Sequence, residues 1–197
     1  MSDSRLEALR LAAEEGFGRA GRGLSEMAGT DIEVEAPRLG FLPVGEVPGL
    51  IGGPDVAVVA VHLGIKGEVE GHMLLMLPMQ HACALADLLL EQPAGSTTRF
   101  DEGLAASAIA EAGNITGSFF VGALADGTSL RMSVTPPAVV ADMAGAILDG
   151  VLADLCMESE EVLVVETVFT QEQNRVDALF LVLPRGSYLD VLLGSLS

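Results

Sequence analysis

Ser107, Glu111 and Asn114 are the residues of this chain whose types and spacing could do chemistry. They interrupt a stretch, Ser107 to Pro137, that is otherwise mostly small and apolar. Intervals of four and three residues place them in one row over two turns of a helix. Asparagine is a poor mid-helix residue because its amide competes for backbone hydrogen bonds, so Asn114 calls for a reason. Alone, the spacing also fits a solvated helix face. The rest of the chain offers little rival chemistry: no metal or nucleotide motif, and no glycine-rich phosphate loop after a strand. His62, His72 and His81 lack ligand spacing and read as structural. Cys83 and Cys156 stand isolated in apolar helical contexts and read as core thiols rather than a disulfide.

The elements that must position the row can be read from periodicity. A long helix over Phe100 to Ala125 carries it, with an expected core stripe of Leu104, Ala108, Ala112, Ile115 and Phe119, about 100° round the axis. A strand, Leu130 to Thr135, follows and ends at Pro136-Pro137. Then come a helix over 138–156, strands Glu161 to Thr170 and Arg175 to Leu183, and a short helix over 187–196. The first half has the same order. A helix, Ser4 to Met27, contains Gly16, Gly18, Gly21 and Gly23, which make sense if another backbone packs closely. A strand, Ile32 to Pro37, and a helical turn near Glu46 to Ile51 follow. Strands Asp55 to Gly64 and Gly67 to Leu77 form a hairpin turning at Gly64 to Gly67, before a helix over Met79 to Gln92 and a linker, Gln92 to Thr98.

Counting supports a duplication. Leu24 and Leu124, Val34 and Val134, and Pro37 and Pro137 are each 100 apart, while Leu77-Pro78 and Leu183-Pro184 are 106 apart. The expected fold is α+β: one pseudo-two-fold domain over 1–197, with repeats 1–95 and 96–197, a mainly antiparallel sheet and long helices alongside.

The formal charge of −18 argues against nucleic acid or an anionic membrane surface as partner. Mean hydropathy is +0.47, yet no uninterrupted apolar run approaches the roughly 18 to 20 residues of a membrane span. The N-terminal stretch carries acidic residues and no signal-peptide core, so a cytoplasmic protein is expected.

The wider pattern Ser107-x3-Glu111-x2-Asn114-x22-Pro137 resembles the signature of the CheC/CheX/FliY family of CheY-phosphate phosphatases, whose first position is Asp or Ser. The likeness to CheC-type members extends to Ala36 to Leu39, Glu46 to Pro48 and the hairpin Leu63 to Pro78. It implies an enzyme of two-site design, one motif per half, that hydrolyses the aspartyl phosphate of the response regulator CheY. It also implies binding to the receptor deamidase CheD. A flagellar-switch component is expected to be the poorer match, because such relatives carry a further domain beyond the position of Leu196.

By that resemblance Asn114 orients the attacking water and Glu111 engages the regulator's active-site lysine. Ser107 is a peripheral contact, and Pro137 shapes a strand-to-helix turn that supports the site. The chain needs no cofactor of its own, since Mg2+ is expected on the regulator. In the first half Glu7, Leu11, Glu14 and Pro37 occupy the same register, so the family's Glu and Asn are both replaced and the first site is expected to be inactive. Glu14 is expected to add repulsive negative charge there. The competing reading is a binding module that sequesters CheD or docks CheY with little or no hydrolysis.

Overall fold

A computed structural model describes residues 3–100, 103–155, 161–185 and 188–195. Cys156 lies outside the described residues. The elements in order are α1 (Asp3–Ala28), β1 (Glu33–Pro43), a 3-10 turn (Val44–Glu46), α2 (Val47–Leu50), β2 (Ala57–Gly67), β3 (Gly71–Pro78) and α3 (Met79–Leu89). The second half comprises α4 (Leu104–Thr128), β4 (Met132–Val134), β5 (Ala138–Met143), α5 (Ala144–Leu155), β6 (Glu161–Gln171), β7 (Asn174–Pro184) and α6 (Tyr188–Ser195).

All the strands join one antiparallel sheet ordered β1-β6-β7-β3-β2-β4, with β5 also pairing β2. Exchanging the halves maps this order onto itself, because β1, β2 and β3 correspond to β4/β5, β6 and β7. The expected pseudo-two-fold therefore runs between β3 and β7, the two central strands. Registers agree: Val34 pairs Phe169 in the first half and Val134 pairs Ile65 in the second. Phe169 and Ile65 are 104 apart, so four of the six extra residues precede the β6 ladder.

Two segments differ from their sequence reading. The hairpin turns at Glu68 to Glu70 rather than at Gly64 to Gly67, because Ile65, Lys66 and Gly67 remain in β2 and pair β4. Residues 138–143, expected to begin a helix, are β5, since cross-strand pairing with β2 from Ala138–His62 to Met143–Ala57 overrides the local pattern.

Each half also carries a one-residue bulge at its proline. Glu35 pairs Val168 and Arg38 pairs Glu166; Val134 pairs Ile65 and Ala138 pairs His62. Proline has no N–H for the ladder, so a bulge is one of the few places in a sheet that tolerates it. Pro137 therefore breaks one strand into two, and the helix of the expected strand-to-helix turn begins only at Ala144. Thr135 compensates: its N–H donates to the Gly64 carbonyl at 2.9 Å, and its Oγ1 accepts the Gly64 N–H at 2.8 Å.

The sheet is covered on both faces. One core joins α1, α3 and α4 to Val59, Val61, Leu63, Met73, Leu75 and Phe180. The other joins α2 and α5 to Val58, Ala60, Leu74, Met76 and Leu181. Strands buried on both sides lose strict alternation, as in the run Met73–Leu77. Phe17, Phe120 and Phe180, from α1, α4 and β7, meet with ring centroids 5.2 to 5.7 Å apart. Such pairs add about 0.5–1.5 kcal/mol each beyond their buried area. The glycine-rich α1 has the expected close neighbour: a Cβ on Gly16 would lie 2.8 Å from the Phe120 Cα.

Helix α4 is long and apolar enough to cross a membrane, but half of its most apolar window is buried inside the protein, as befits a core helix. Within it the Thr116 hydroxyl is fully buried with no hydrogen-bond partner. An unmade buried hydrogen bond costs about 1–3 kcal/mol, so Thr116→Val is expected to stabilise the fold by about 1 kcal/mol. Urea titration checks this; a lower midpoint would show that the hydroxyl has a partner in solution.

Candidate functional site

Helix α4 meets the sheet through its smallest residues. A Cβ on Gly113 would lie 2.5 Å from Val61 Cγ1, and one on Gly117 would lie 2.6 Å from Leu63 Cδ1. The buried stripe runs Ala105, Ile109, Ala112, Gly113, Thr116, Gly117 and Phe120. Of the stripe read by hydropathy, Ala108 and Ala112 are buried and Ile115 packs against the core, but its two ends turn outward: Leu104 is 73% exposed and Phe119 37%. The cause is steric. Glycine and alanine permit closest approach to β2, so Gly113 and Gly117 meet the sheet while Ile109, Phe120, Val121 and Leu124 fill the core on either side.

This seating decides where the polar row points. Ser107 and Glu111 are exposed and Asn114 is half-buried, all facing away from the sheet. The Ser107 hydroxyl donates back to the Gly103 carbonyl at 3.3 Å. The Glu111 and Asn114 side chains make no hydrogen bond or ion pair with any described residue. A carboxylate and an amide thus stand available to a partner, 4.5 Å apart along the axis at about 1.5 Å per residue. Their helix is backed by the core it shares with α1, α3 and the sheet, and cannot yield easily. Beneath them α4 lies against β4 and β5, the strands flanking the Pro136-Pro137 bulge.

The corresponding row on α1 is spent on itself. Glu7, Leu11 and Glu14 are exposed, Leu11 at 54%. Arg10 pairs with Glu7 at 2.7 Å and also with Glu14. The Arg10 guanidinium holds the Glu7 carboxyl below its usual range through their hydrogen bond. Residue 110, in the register of Arg10, is alanine. Glu14 is therefore ion-paired with Arg10, and one arginine between two glutamates leaves the cluster with a negative charge. The sequence reading missed Arg10 because it scored only motif positions. Pro37 sits at the first-half bulge, as Pro137 does at the second.

The three histidines divide. His81 Nδ1 lies 2.8 Å from the Asp177 carbonyl oxygen. His62 Nε2 and His72 Nδ1 lie 2.6 Å apart with their rings stacked. That pair lines a pocket of about 310 Å³ between α5 and strands β2, β3 and β5. It is on the opposite face of the sheet from α4, because Ala60 and His62 alternate with Val61 and Leu63. Among the described residues no three His, Cys, Asp or Glu side chains group as a metal site.

Comparison with known proteins meets this geometry at the same helix. The model of the CheC-like family matches residues 104–141, which span α4, the bulge and the start of β5. The chain is 28% identical over 187 residues to the CheY-P phosphatase CheC of Bacillus subtilis (strain 168), covering 93% of this chain and 90% of that protein. Its fold is similar to that of Thermotoga maritima FliY, with a TM-score of 0.79 at 18% identity over 100% of this chain and 97% of the other. It is also similar to CheX in the CheX–CheY–BeF3–Mg2+ complex from Borrelia burgdorferi, with a TM-score of 0.50 at 19% identity over 87% and 97%. The family match thus falls on the helix of the polar row, and similarity to a CheC protein runs nearly end to end.

Proposed function

We propose that this chain is a protein aspartyl-phosphate phosphatase acting on a phosphorylated CheY-type response regulator, with a single competent site on α4. The observation that carries the reading is the pair of unpartnered side chains, Glu111 and Asn114, on the helix that the CheC-like family model matches, in a chain similar to a CheY-P phosphatase. An aspartyl phosphate is an activated acyl phosphate, and Mg2+ in the regulator's pocket supplies charge neutralisation there. What this chain must contribute is position. The Asn114 amide accepts a hydrogen bond from water while remaining neutral beside phosphate, which holds the water in line with phosphorus. The Glu111 carboxylate engages the regulator's active-site lysine in a charge-assisted hydrogen bond, drawing it from the phosphate and anchoring the helix. Ser107 lies at the periphery, and Pro137 keeps the bulge beneath α4. The reaction uses no metal or cofactor of this chain's own. The test is decay of phosphorylated CheY with and without the protein: acceleration is expected, and unchanged decay at saturation rejects the reading.

A second reading, a binding module that sequesters CheD or docks CheY, draws on the first half, where an exposed ion-pair cluster stands in place of the motif. The decay experiment separates the two readings, and Glu14 tests which half holds the competent site. Exposed ion pairs contribute about 0–1 kcal/mol, so Glu14→Ala is expected to leave folding intact and hydrolysis within about twofold of wild type. A large loss of turnover at unchanged stability would place catalysis in the first half.

A further inference from the structure

Two hollows meet at the imidazole pair on the α5 face of the sheet. The first is the cleft of about 310 Å³ described above, walled by Ala60, Leu74, Val140, Ile147 and Val151 beside the two rings. The second, of about 410 Å³, opens among Lys66, Glu70, Thr135 and Arg185, and also takes His62 and His72 into its wall. One hollow is apolar, the other polar, and the stacked rings, centroids 4.9 Å apart, belong to both. An apolar recess with a few converging polar groups is the usual form of a small-molecule site.

Packing does not explain Gly150. It sits inside α5, where glycine weakens a helix relative to alanine, yet a Cβ there would meet nothing within 4 Å. What its missing side chain keeps open is the cleft it lines. Val140 lines the same cleft and is 44% exposed. The other half of the sheet is built differently. His62 pairs Leu74 and, 104 residues on, Glu166 pairs Leu179; two residues before those leucines stand His72 and Asp177. The imidazole pair therefore corresponds to Glu166 and Asp177, carboxylates paired with Arg38 at 3.6 Å and Arg175 at 2.8 Å. There the four-residue α2 takes the place of α5.

Charge selects the head of an occupant. The chain has ten Lys and Arg against 28 Asp and Glu, and Lys66 is its one lysine. Two cations, Lys66 and Arg185, against one carboxylate, Glu70, leave the polar hollow a single positive charge, while Asp142 borders the apolar one. A monoanion matches that balance better than a doubly charged phosphate. Volume selects the tail. A dry cavity of about 150 Å³ takes up benzene, so the apolar cleft has room for a phenyl-sized group. We propose that this junction binds a small amphipathic carboxylate, its tail in the cleft under α5 and its carboxylate at Lys66, Arg185 and the imidazole pair. The inference is independent of the phosphatase reading, since the site lies on the sheet face opposite α4.

The test titrates the full chain with phenylacetate, with benzyl alcohol as the tail alone and acetate as the head alone. Affinity and the ring-proton NMR signals of His62 and His72 are followed. Phenylacetate is expected to shift both histidines and to bind about tenfold more tightly than either fragment, the worth of one charge-assisted hydrogen bond. Gly150→Leu fills the cleft and should weaken phenylacetate about tenfold, with a melting temperature no lower than wild type because leucine is the better helix former. Lys66→Gln, at an exposed position, should cost phenylacetate about threefold and leave benzyl alcohol unchanged. Benzyl alcohol binding as tightly as phenylacetate overturns the carboxylate head. Full affinity in Gly150→Leu, shifts that spare both histidines, or no binding of phenylacetate overturns the site. If Gly150→Leu destabilises the fold, equal phenylacetate affinity in Lys66→Gln and wild type overturns the proposal by itself.

Discussion

Replacing Asn114 with alanine is expected to slow dephosphorylation of the regulator on the order of 10²-fold at saturation, while binding to the activated regulator stays near wild type. That loss is typical of removing one preorganised polar group that acts in the transition state. The Asn114 amide is suited to the role because its side chain is not committed to any described residue and its helix is packed against both α1 and the sheet. Glu111→Ala is expected to reduce both binding and rate, because it removes a charge-assisted contact formed already in the docked complex. The double variant should be scarcely slower than the more damaging single one, as for residues that act as a unit. Ser107→Ala should be mild, since that hydroxyl bonds back to its own helix. Decay of phosphorylated CheY at saturating protein decides the matter: wild-type decay in Asn114→Ala would refute the assignment and put the binding-module reading first.

Gly113→Val should be the most damaging substitution for the scaffold. Its Cβ would lie 2.5 Å from Val61 Cγ1 and 2.7 Å from Val61 Cβ. Val61 cannot withdraw, because it is fully buried in β2 and its branched side chain has few rotamers. Helix α4 must therefore rise off the sheet, at a cost of about 3 kcal/mol, the upper end of ordinary overpacking. A chain of this size should then melt roughly 6–12 °C lower. Asn114 is the next residue, and a displacement of about 1 Å at a reacting group can cost 10²-fold. Turnover should thus fall even at temperatures where the variant stays folded. Gly122→Ala on the same helix is the control: an added Cβ meets nothing within 4 Å, so it should stabilise by up to about 1 kcal/mol through helix propensity. Thermal melts and turnover assays at 15 °C check both. Equal stability of Gly113→Val and wild type would mean that α4 is not seated on β2 through its glycines.

The elements legible in the sequence were those whose cause is local. Helices α1, α3 and α4 follow from periodicity, β6 and β7 from runs of branched and aromatic residues, and the duplication from a 100-residue offset that survives folding. The motif row was legible too, because intervals of four and three align side chains on any α-helix whatever surrounds it. Hydropathy alone did not reveal which side of α4 faces inward. Packing against Val61, Leu63 and the backbone of α1 selects the smallest side chains, so Gly113, Thr116 and Gly117 turn in while Leu104 and Phe119 turn out. Nor was β5 legible: AVVADM becomes a strand only because β2 offers an open edge in register with it. Pro137 was legible as a break but not as a bulge, since a bulge is defined by the partner strand. The sequence by itself determined which side chains share the row, because residue types and helical spacing are properties of one segment. Tertiary structure alone decided that the row faces outward, because close approach to a distant strand is a property of two.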